Sequence, residues 1–219
     1  MPPRALSPSG ILLVDKRAGP TSFDIVAAIR RRTGARTGHA GTLDPFASGL
    51  LLLLSGAATR LQGRFVGLDK RYLTEIDLTA RTSTGDPEGE VVEQHDAPSG
   101  EELAKRLEAL RGAVELPIPA ASAVKIGGER AYKLHRRGVA VEMPVRRMTV
   151  RELALGSYDH GVARLDLLVS SGTYVRAIAE ALGGHCRTLR RTEIGPFSID
   201  EADAERIISP EDALARLDG

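Results

Sequence analysis

The sequence predicts an α+β fold around a mostly antiparallel sheet. Three observations predict it. Residues 72–80 (Tyr-Leu-Thr-Glu-Ile-Asp-Leu-Thr-Ala) alternate apolar and polar with a period of two, the pattern of a half-buried strand. Residues 145–155 and 162–170 read as two strands joined by a polar turn at 156–161, a hairpin arrangement. Helical segments are interspersed, but they do not alternate strictly with strands as parallel βαβ units would.

The elements follow in order. Ile11-Leu12-Leu13-Val14-Asp15 is a short buried strand, broken by Gly19-Pro20. Thr21 and Ser22 offer N-caps for a helix from Phe23 to Arg32 that Gly34 closes. Residues 37–49, rich in Gly, Thr, Asp and Pro, read as an ordered loop. Leu50–Leu54 is a buried strand, and Ala57–Val66 a helix. The strand at 72–80 leads to an acidic turn region at 83–90, and Glu101–Arg111 is a helix ended by Gly112. Ser122–Ile126 is a strand with a turn at Gly127-Gly128, and Arg130–Arg137 is helical. After the hairpin come a helix over Thr173–Leu182 closed by Gly183-Gly184, a strand near 186–194 and a short helix from Pro210.

At 219 residues the chain has the size of one domain, large enough to need no disulfide or metal staple. Its apolar fraction of 42% and charged fraction of 27% place it among soluble globular chains. The longest apolar run, Leu50–Leu54, is far short of the ~18 residues that span a bilayer, so no membrane partner is expected. The N-terminal Met1-Pro2-Pro3-Arg4 is polar, and no secretory segment is expected there. The single cysteine, Cys186, excludes a disulfide framework and a Cys-Cys metal site, which makes the reducing cytoplasm the expected compartment.

The formal net charge is only +1, but the charge is segregated. Residues 1–72 carry 11 Lys and Arg against 4 Asp and Glu, and residues 116–151 carry 8 against 2. Residues 73–115 carry 4 against 11, and residues 192–219 carry 2 against 8. Two basic blocks that fold onto one face suit a polyanion; taken singly, each block is better explained by solvated surface with chance clustering. Four Tyr, four Phe and no Trp disfavour a nucleic-acid binder that relies on many stacking platforms.

The segment Gly38-His39-Ala40-Gly41-Thr42-Leu43-Asp44-Pro45 is unusual. Its glycines and proline dictate the backbone path, and the proline pushes Asp44 away from helical geometry, so the loop can hold a carboxylate out into a cleft. On residue types alone, a turn-capping aspartate explains it better. Other templates fail: there is no P-loop, His-Glu-x-x-His, Gly-x-Ser-x-Gly or Cys-x-x-Cys. The histidines at 39, 95, 135, 160 and 185 lack metal-ligand spacing, and Asp86-Pro87-Glu88-Gly89-Glu90 lacks the alternating ligands of a calcium loop.

Gly38-His39-Ala40-Gly41-Thr42-Leu43-Asp44-Pro45-Phe46-Ala47-Ser48-Gly49-Leu50-Leu51 resembles the signature of the TruB family of pseudouridine synthases. Five further segments resemble family motifs in the right order: Asp15-Lys16-Arg17-Ala18-Gly19-Pro20-Thr21-Ser22, Asp69-Lys70-Arg71-Tyr72, Arg81-Thr82-Ser83-Thr84-Gly85-Asp86, Ser171-Gly172-Thr173-Tyr174-Val175-Arg176 and Leu189-Arg190-Arg191. The resemblance spans residues 11–197 and implies the pseudouridine synthase fold, with a bent sheet and a catalytic cleft across it. It implies isomerisation of uridine to pseudouridine, at position 55 in the T-loop of tRNA, by base flipping without cofactor or metal. Asp44 maps onto the family nucleophile, Arg176 onto the arginine that pairs with it, and Tyr72 onto the tyrosine that stacks on the base. Tyr174 and Leu189 map onto the uracil pocket, and His39 onto the space the flipped base leaves. Lys16 and Lys70 are candidate phosphate contacts. The T-stem-loop of tRNA is the expected partner, and a monomer is expected. The rivals are a synthase acting on another RNA, and a non-catalytic RNA-binding or RNA-folding protein.

The sequence departs from the family pattern in places. Ile118-Pro119-Ala120-Ala121-Ser122-Ala123 has Ala121 where the family has tyrosine, and Ala181 stands where an acidic residue is usual. The connection from Gly183 to Leu189 is shorter than usual. The expected organisation is a catalytic domain over residues 1–197 and an acidic C-terminal extension over 198–219, with no full RNA-binding PUA domain.

Overall fold

The computed structural model describes residues 9–218; the N-terminal Met1-Pro2-Pro3-Arg4 lies outside the described residues. The chain divides into two compact units. The first comprises residues 1–72 and 189–219, and the second residues 73–188.

The first unit opens with β1 (Gly10–Lys16) and α1 (Ser22–Thr33). Thr21 caps α1 in a reciprocal capping box with Asp24, and Gly34 ends it in a left-handed conformation at φ 65°. β2 (Thr37–His39) and β3 (Ser48–Ser55) follow, then a 3-10 turn at Gly56–Leu61, α2 (Gln62–Val66) and β4 (Lys70–Asp77), which runs on into the second unit. β3 is antiparallel to β1 on one side and to β2 on the other, the latter over Leu53–Ser55.

The second unit contains β5 (Ala80–Thr82), β6 (Val91–Gln94), α3 (Gly100–Ala109), β7 (Gly112–Pro117), β8 (Lys125–Ile126), β9 (Glu129–Arg130) and α4 (Ala131–Arg136). β10 (Val145–Asp159), β11 (Val162–Val169), α5 (Val175–Ala181) and the start of β12 (His185–Ile194) complete it. The strand order here is β4-β11-β10-β7. β10 and β11 form the expected hairpin, turning at His160 and Gly161, whose positive φ values of 46° and 78° suit a tight two-residue turn.

Back in the first unit, β12 joins β3 in parallel, and β13 (Phe197–Ser198), β14 (Asp203–Ile208) and α6 (Pro210–Ala215) follow. β14 pairs with β1, and Leu214 and Leu217 pack on the core. The residues past 197, expected as an extension, are thus built into the first unit.

The all-leucine run of β3 is explained by cover on both faces. Leu50, Leu52 and Leu54 pack with Ile11, Leu13, Phe65 and Phe197, whereas Leu51 and Leu53 pack with Leu12 and with Val26 and Ile29 of α1. Each of the five leucines is fully buried, a stabilisation of about 1.5–3 kcal/mol apiece.

Several elements differ from expectation for local reasons. The helix expected at 57–66 is a 3-10 turn followed by α2. The strand expected to reach residue 80 stops at Asp77, whose carboxylate accepts from the amide and hydroxyl of Thr79 and turns the chain. α5 begins at Val175, after a turn in which the Thr173 amide donates to the Ser170 carbonyl.

Candidate active site

In the first unit the candidate carboxylate sits on a loop held at every backbone carbonyl from residue 41 to 45. Arg191 donates to Gly41 O (3.1 Å) and Thr42 O (3.4 Å). The Ser22 hydroxyl donates to Leu43 O (2.9 Å) and accepts from Leu43 N (2.8 Å). Asp44 O accepts from Ala47 N (3.1 Å), and Pro45 O from Gly19 N (2.8 Å) and Lys16 Nζ (3.3 Å). A loop with its backbone groups so paired has one preferred path, and Asp44 is carried on it half-buried.

Lys16 is fully buried, and its ammonium also donates to Arg17 O (3.1 Å) and Pro20 O (2.8 Å). A side chain enclosed in this way does not reach a phosphate, so the phosphate-contact expectation is corrected: Lys16 ties the Asp44 loop to the turn before α1. The same correction applies to Lys70, which is 5% exposed and donates to Val66 O (2.7 Å) and Leu68 O (2.5 Å) at the end of α2. Burial, chiefly, and the nearby Arg191 charge push the Lys70 ammonium down to about 8, with Asp69 opposing.

His39 lies in β2, and its Nδ1 accepts from Gly41 N (3.3 Å), which leaves the ring proton on Nε2 when neutral. Burial and then the Arg191 charge hold the imidazole below its ordinary range, so it is neutral at pH 7. Tyr72 is 8% exposed and shares the buried face of β4 with Lys70, two residues before it. Leu189, 7% exposed, begins the part of β12 that belongs to this unit. Two residues on, Arg191 aligns with Gly49 of β3. A Cβ at Gly49 would meet the Arg191 amide nitrogen at 2.6 Å and its carbonyl oxygen closer still, and Gly49 has φ +107°, so glycine is required there.

In the second unit, Tyr174 is the half-buried residue that precedes α5, and Arg176 is 2% exposed rather than a surface arginine. Its guanidinium donates to Thr84 O (2.7 Å) and Ala121 O (3.0 Å) and stands 3.4 Å from the Asp86 carboxylate. Asp86 is oriented in turn by the Thr84 hydroxyl (2.6 Å) and the Glu88 amide (3.0 Å). Glu180, one helical turn beyond Arg176, is pushed up by burial against the opposing pull of Arg176 and Arg81. A cleft of about 430 Å³ is lined by Arg81 and Ser83 of one family-like segment, by Ile118 of the departing one, and by Met143 and Glu180; none of the candidate catalytic or substrate-binding residues lines it.

A family model described as TruB family pseudouridylate synthase, N-terminal domain, matches residues 30–175. The chain belongs to the TruB family. It is 44% identical over 220 residues to tRNA pseudouridine synthase B of Mycobacterium sp. strain KMS, covering 94% of this chain and 72% of the relative. It is 42% identical to the protein of that name from Leifsonia xyli, covering 94% and 74%. A solved Cbf5-Nop10-Gar1 complex contains a chain similar to it, with TM-score 0.67 and 25% identity over 94% of this chain and 54% of that one. A crystal structure of a pseudouridylate synthase shares the fold at TM-score 0.52 and 17% identity, covering 97% and 75%. The pseudouridine synthase fold is thereby established, and the chain is an isomerase of the TruB family.

Two of the departures from the TruB pattern have structural counterparts. Ala121 meets Arg176 through its backbone carbonyl, a contact that needs no tyrosine side chain. Ala181 is exposed, while Glu180, one position earlier, supplies the carboxylate that faces Arg176 and Arg81. Sequence inspection missed Ser22 and Arg191 as supports of the Asp44 loop. Nothing local marks Arg191, which stands between Arg190 and Thr192 in β12; its acceptors lie in distant parts of the chain.

Proposed function

We propose that this protein converts a uridine of tRNA to pseudouridine and that its target is the T-loop uridine at position 55. The observation that carries the proposal is the Asp44 loop, paired at every carbonyl from 41 to 45, which supports a carboxylate presented in one geometry. The bond between N1 and C1′ breaks, the base turns, and C5 joins C1′; C5 loses a proton and N1 gains one. The isomerisation balances without a cofactor. Attack at C1′, attack at C6 of uracil and a glycal route all use an ionised carboxylate, and Asp44 supplies it. In this proposal Arg176 is its counter-charge.

A stacked loop uridine has to be everted before its glycosidic bond is reached. Tyr72 stacks on the everted base, Tyr174 and Leu189 line its pocket, and a neutral His39 lies near the space it leaves. RNA affinity comes mainly from phosphate contacts, while the pocket specifies. The protein acts as a monomer in the cytoplasm. Among the described residues no helix is long and apolar enough to cross a membrane.

The test is a panel of unmodified transcripts with intact and disrupted T-loops, read by pseudouridine-specific chemical mapping. Product confined to intact T-loops at position 55 is expected. Product elsewhere favours the synthase with another RNA target, and RNA binding with no product favours an RNA-folding protein.

A further inference from the structure

Most donors to the Asp44 loop lie within about thirty positions of it, but one comes from far along the chain. Arg191 is separated from Gly41 by 150 positions, and its side chain is 1% exposed. Its guanidinium spans two segments: Gly41 O (3.1 Å) and Thr42 O (3.4 Å) on the loop, and Leu50 O (2.8 Å) on β3, where the chain continues after Asp44. A planar fork fixes several acceptors relative to one another, which a point-charge ammonium does not. The backbone carrying the fork is itself located, because Arg191 aligns with Gly49 at a spacing only glycine permits.

The arrangement carries an electrostatic cost. At Gly41, with φ +137°, an added Cβ would lie 3.6 Å from Arg191 Nη1 and 3.7 Å from Lys70 Cε. Two cations are thus crowded beneath the segment that leads to Asp44, and Arg191 contributes to the low affinity of Lys70 for its proton. Neutral donors would satisfy the same carbonyls without this repulsion. What the charged fork adds is a rigid link between the two ends of the segment that bears the carboxylate.

We propose that Arg191 is a positioning residue for the isomerisation, clamping Gly41, Thr42 and Leu50 so that the Asp44 carboxylate is presented in one orientation. This rests on Asp44 being the reacting carboxylate. A displacement of about 1 Å in a reacting group can cost roughly a hundredfold in rate.

The test compares wild type, Arg191→Lys, Arg191→Gln and Asp44→Ala. Single-turnover rates are measured on a tRNA transcript with enzyme in excess, alongside tRNA Kd by filter binding. Each variant is assayed at a temperature where circular dichroism shows it folded, so a merely structural role predicts an unchanged rate. The expected result is a rate lowered about 30- to 100-fold in Arg191→Lys and further in Arg191→Gln, with Kd within threefold of wild type. A folded Arg191→Lys with wild-type rate overturns the proposal. So does a Kd that weakens in proportion to the rate, which would make Arg191 an RNA contact. Failure of both Arg191 variants to fold would make it a folding residue and overturns the proposal too. No product from wild type, or full activity in Asp44→Ala, instead overturns the reading of Asp44, whatever Arg191 does.

Discussion

Replacing Lys16 by methionine separates its two possible roles. Lys16 donates to three carbonyls, at Arg17, Pro20 and Pro45, and is fully buried. Methionine matches the stem of lysine but carries no donor. Pro45 O keeps the Gly19 amide at 2.8 Å, while Arg17 O and Pro20 O lose the ammonium. Arg17 is exposed and Pro20 half-buried, so water re-pairs part of what the ammonium leaves, and methionine also avoids the desolvation of a charge. The net loss is therefore about 1 kcal/mol, which lowers Tm by roughly 2–4 °C in a chain of this size. Thermal melts followed by circular dichroism read the shift, and filter binding at several salt concentrations reads the RNA side. The expected result is a lower Tm with the tRNA Kd and its salt dependence unchanged. An unchanged Tm, with weaker binding and a salt slope shallower by about one, would refute the framework role and restore Lys16 as a phosphate contact.

Three further outcomes are expected. Tyr72→Leu keeps an apolar side chain on the buried face of β4 but removes the ring, so kcat should fall at least tenfold with tRNA Kd within threefold; equal losses would refute the stacking role. Lys70 holds its proton less tightly in the folded state, about 8 against an ordinary 10.5, so the unfolded chain binds more protons between those values and the Lys70 contribution to stability rises with pH there. Accordingly, the Tm of wild type minus that of Lys70→Met should increase from pH 7 to pH 10, and a flat or falling difference would contradict a buried ammonium. Glu180 has a folded-state pKa raised by burial, so stability is lost as pH rises from its unfolded value through its folded one. Glu180→Gln should therefore raise Tm at pH 7, with the gain vanishing near pH 4; a lower Tm at pH 7 would mean that Arg176 and Arg81 outweigh the burial.

What was legible in the sequence is what short-range chemistry dictates. Thr21 and Gly34 marked both ends of α1, and the run Leu50–Leu54 announced a buried strand, which the structure covers on both faces. The β10–β11 hairpin showed in its alternation. The elements missed owe their existence to distant partners. β2 is three residues inside a Gly- and Thr-rich segment and forms because β3 offers an edge. β7 is mostly exposed, and β14 is charged, so neither carries an apolar pattern. Motif resemblance singled out Asp44, Tyr72 and Arg176 as candidates but not their surroundings. The carbonyls that bury Arg176 lie 92 and 55 positions away, and no local periodicity reports them. Lys16 and Lys70 were assigned by residue type to phosphates, whereas clusters of backbone carbonyls hold both inside.

Whether the Asp44 carboxylate carries the reaction is read by pseudouridine mapping of an unmodified tRNA after incubation with wild type and with Asp44→Asn, which keeps the size of the side chain and removes its charge. A complete signal at the T-loop uridine is expected with wild type and none with Asp44→Asn, at equal tRNA binding. Pseudouridine formed by Asp44→Asn, or none formed by wild type on a tRNA it binds, would contradict that role of Asp44.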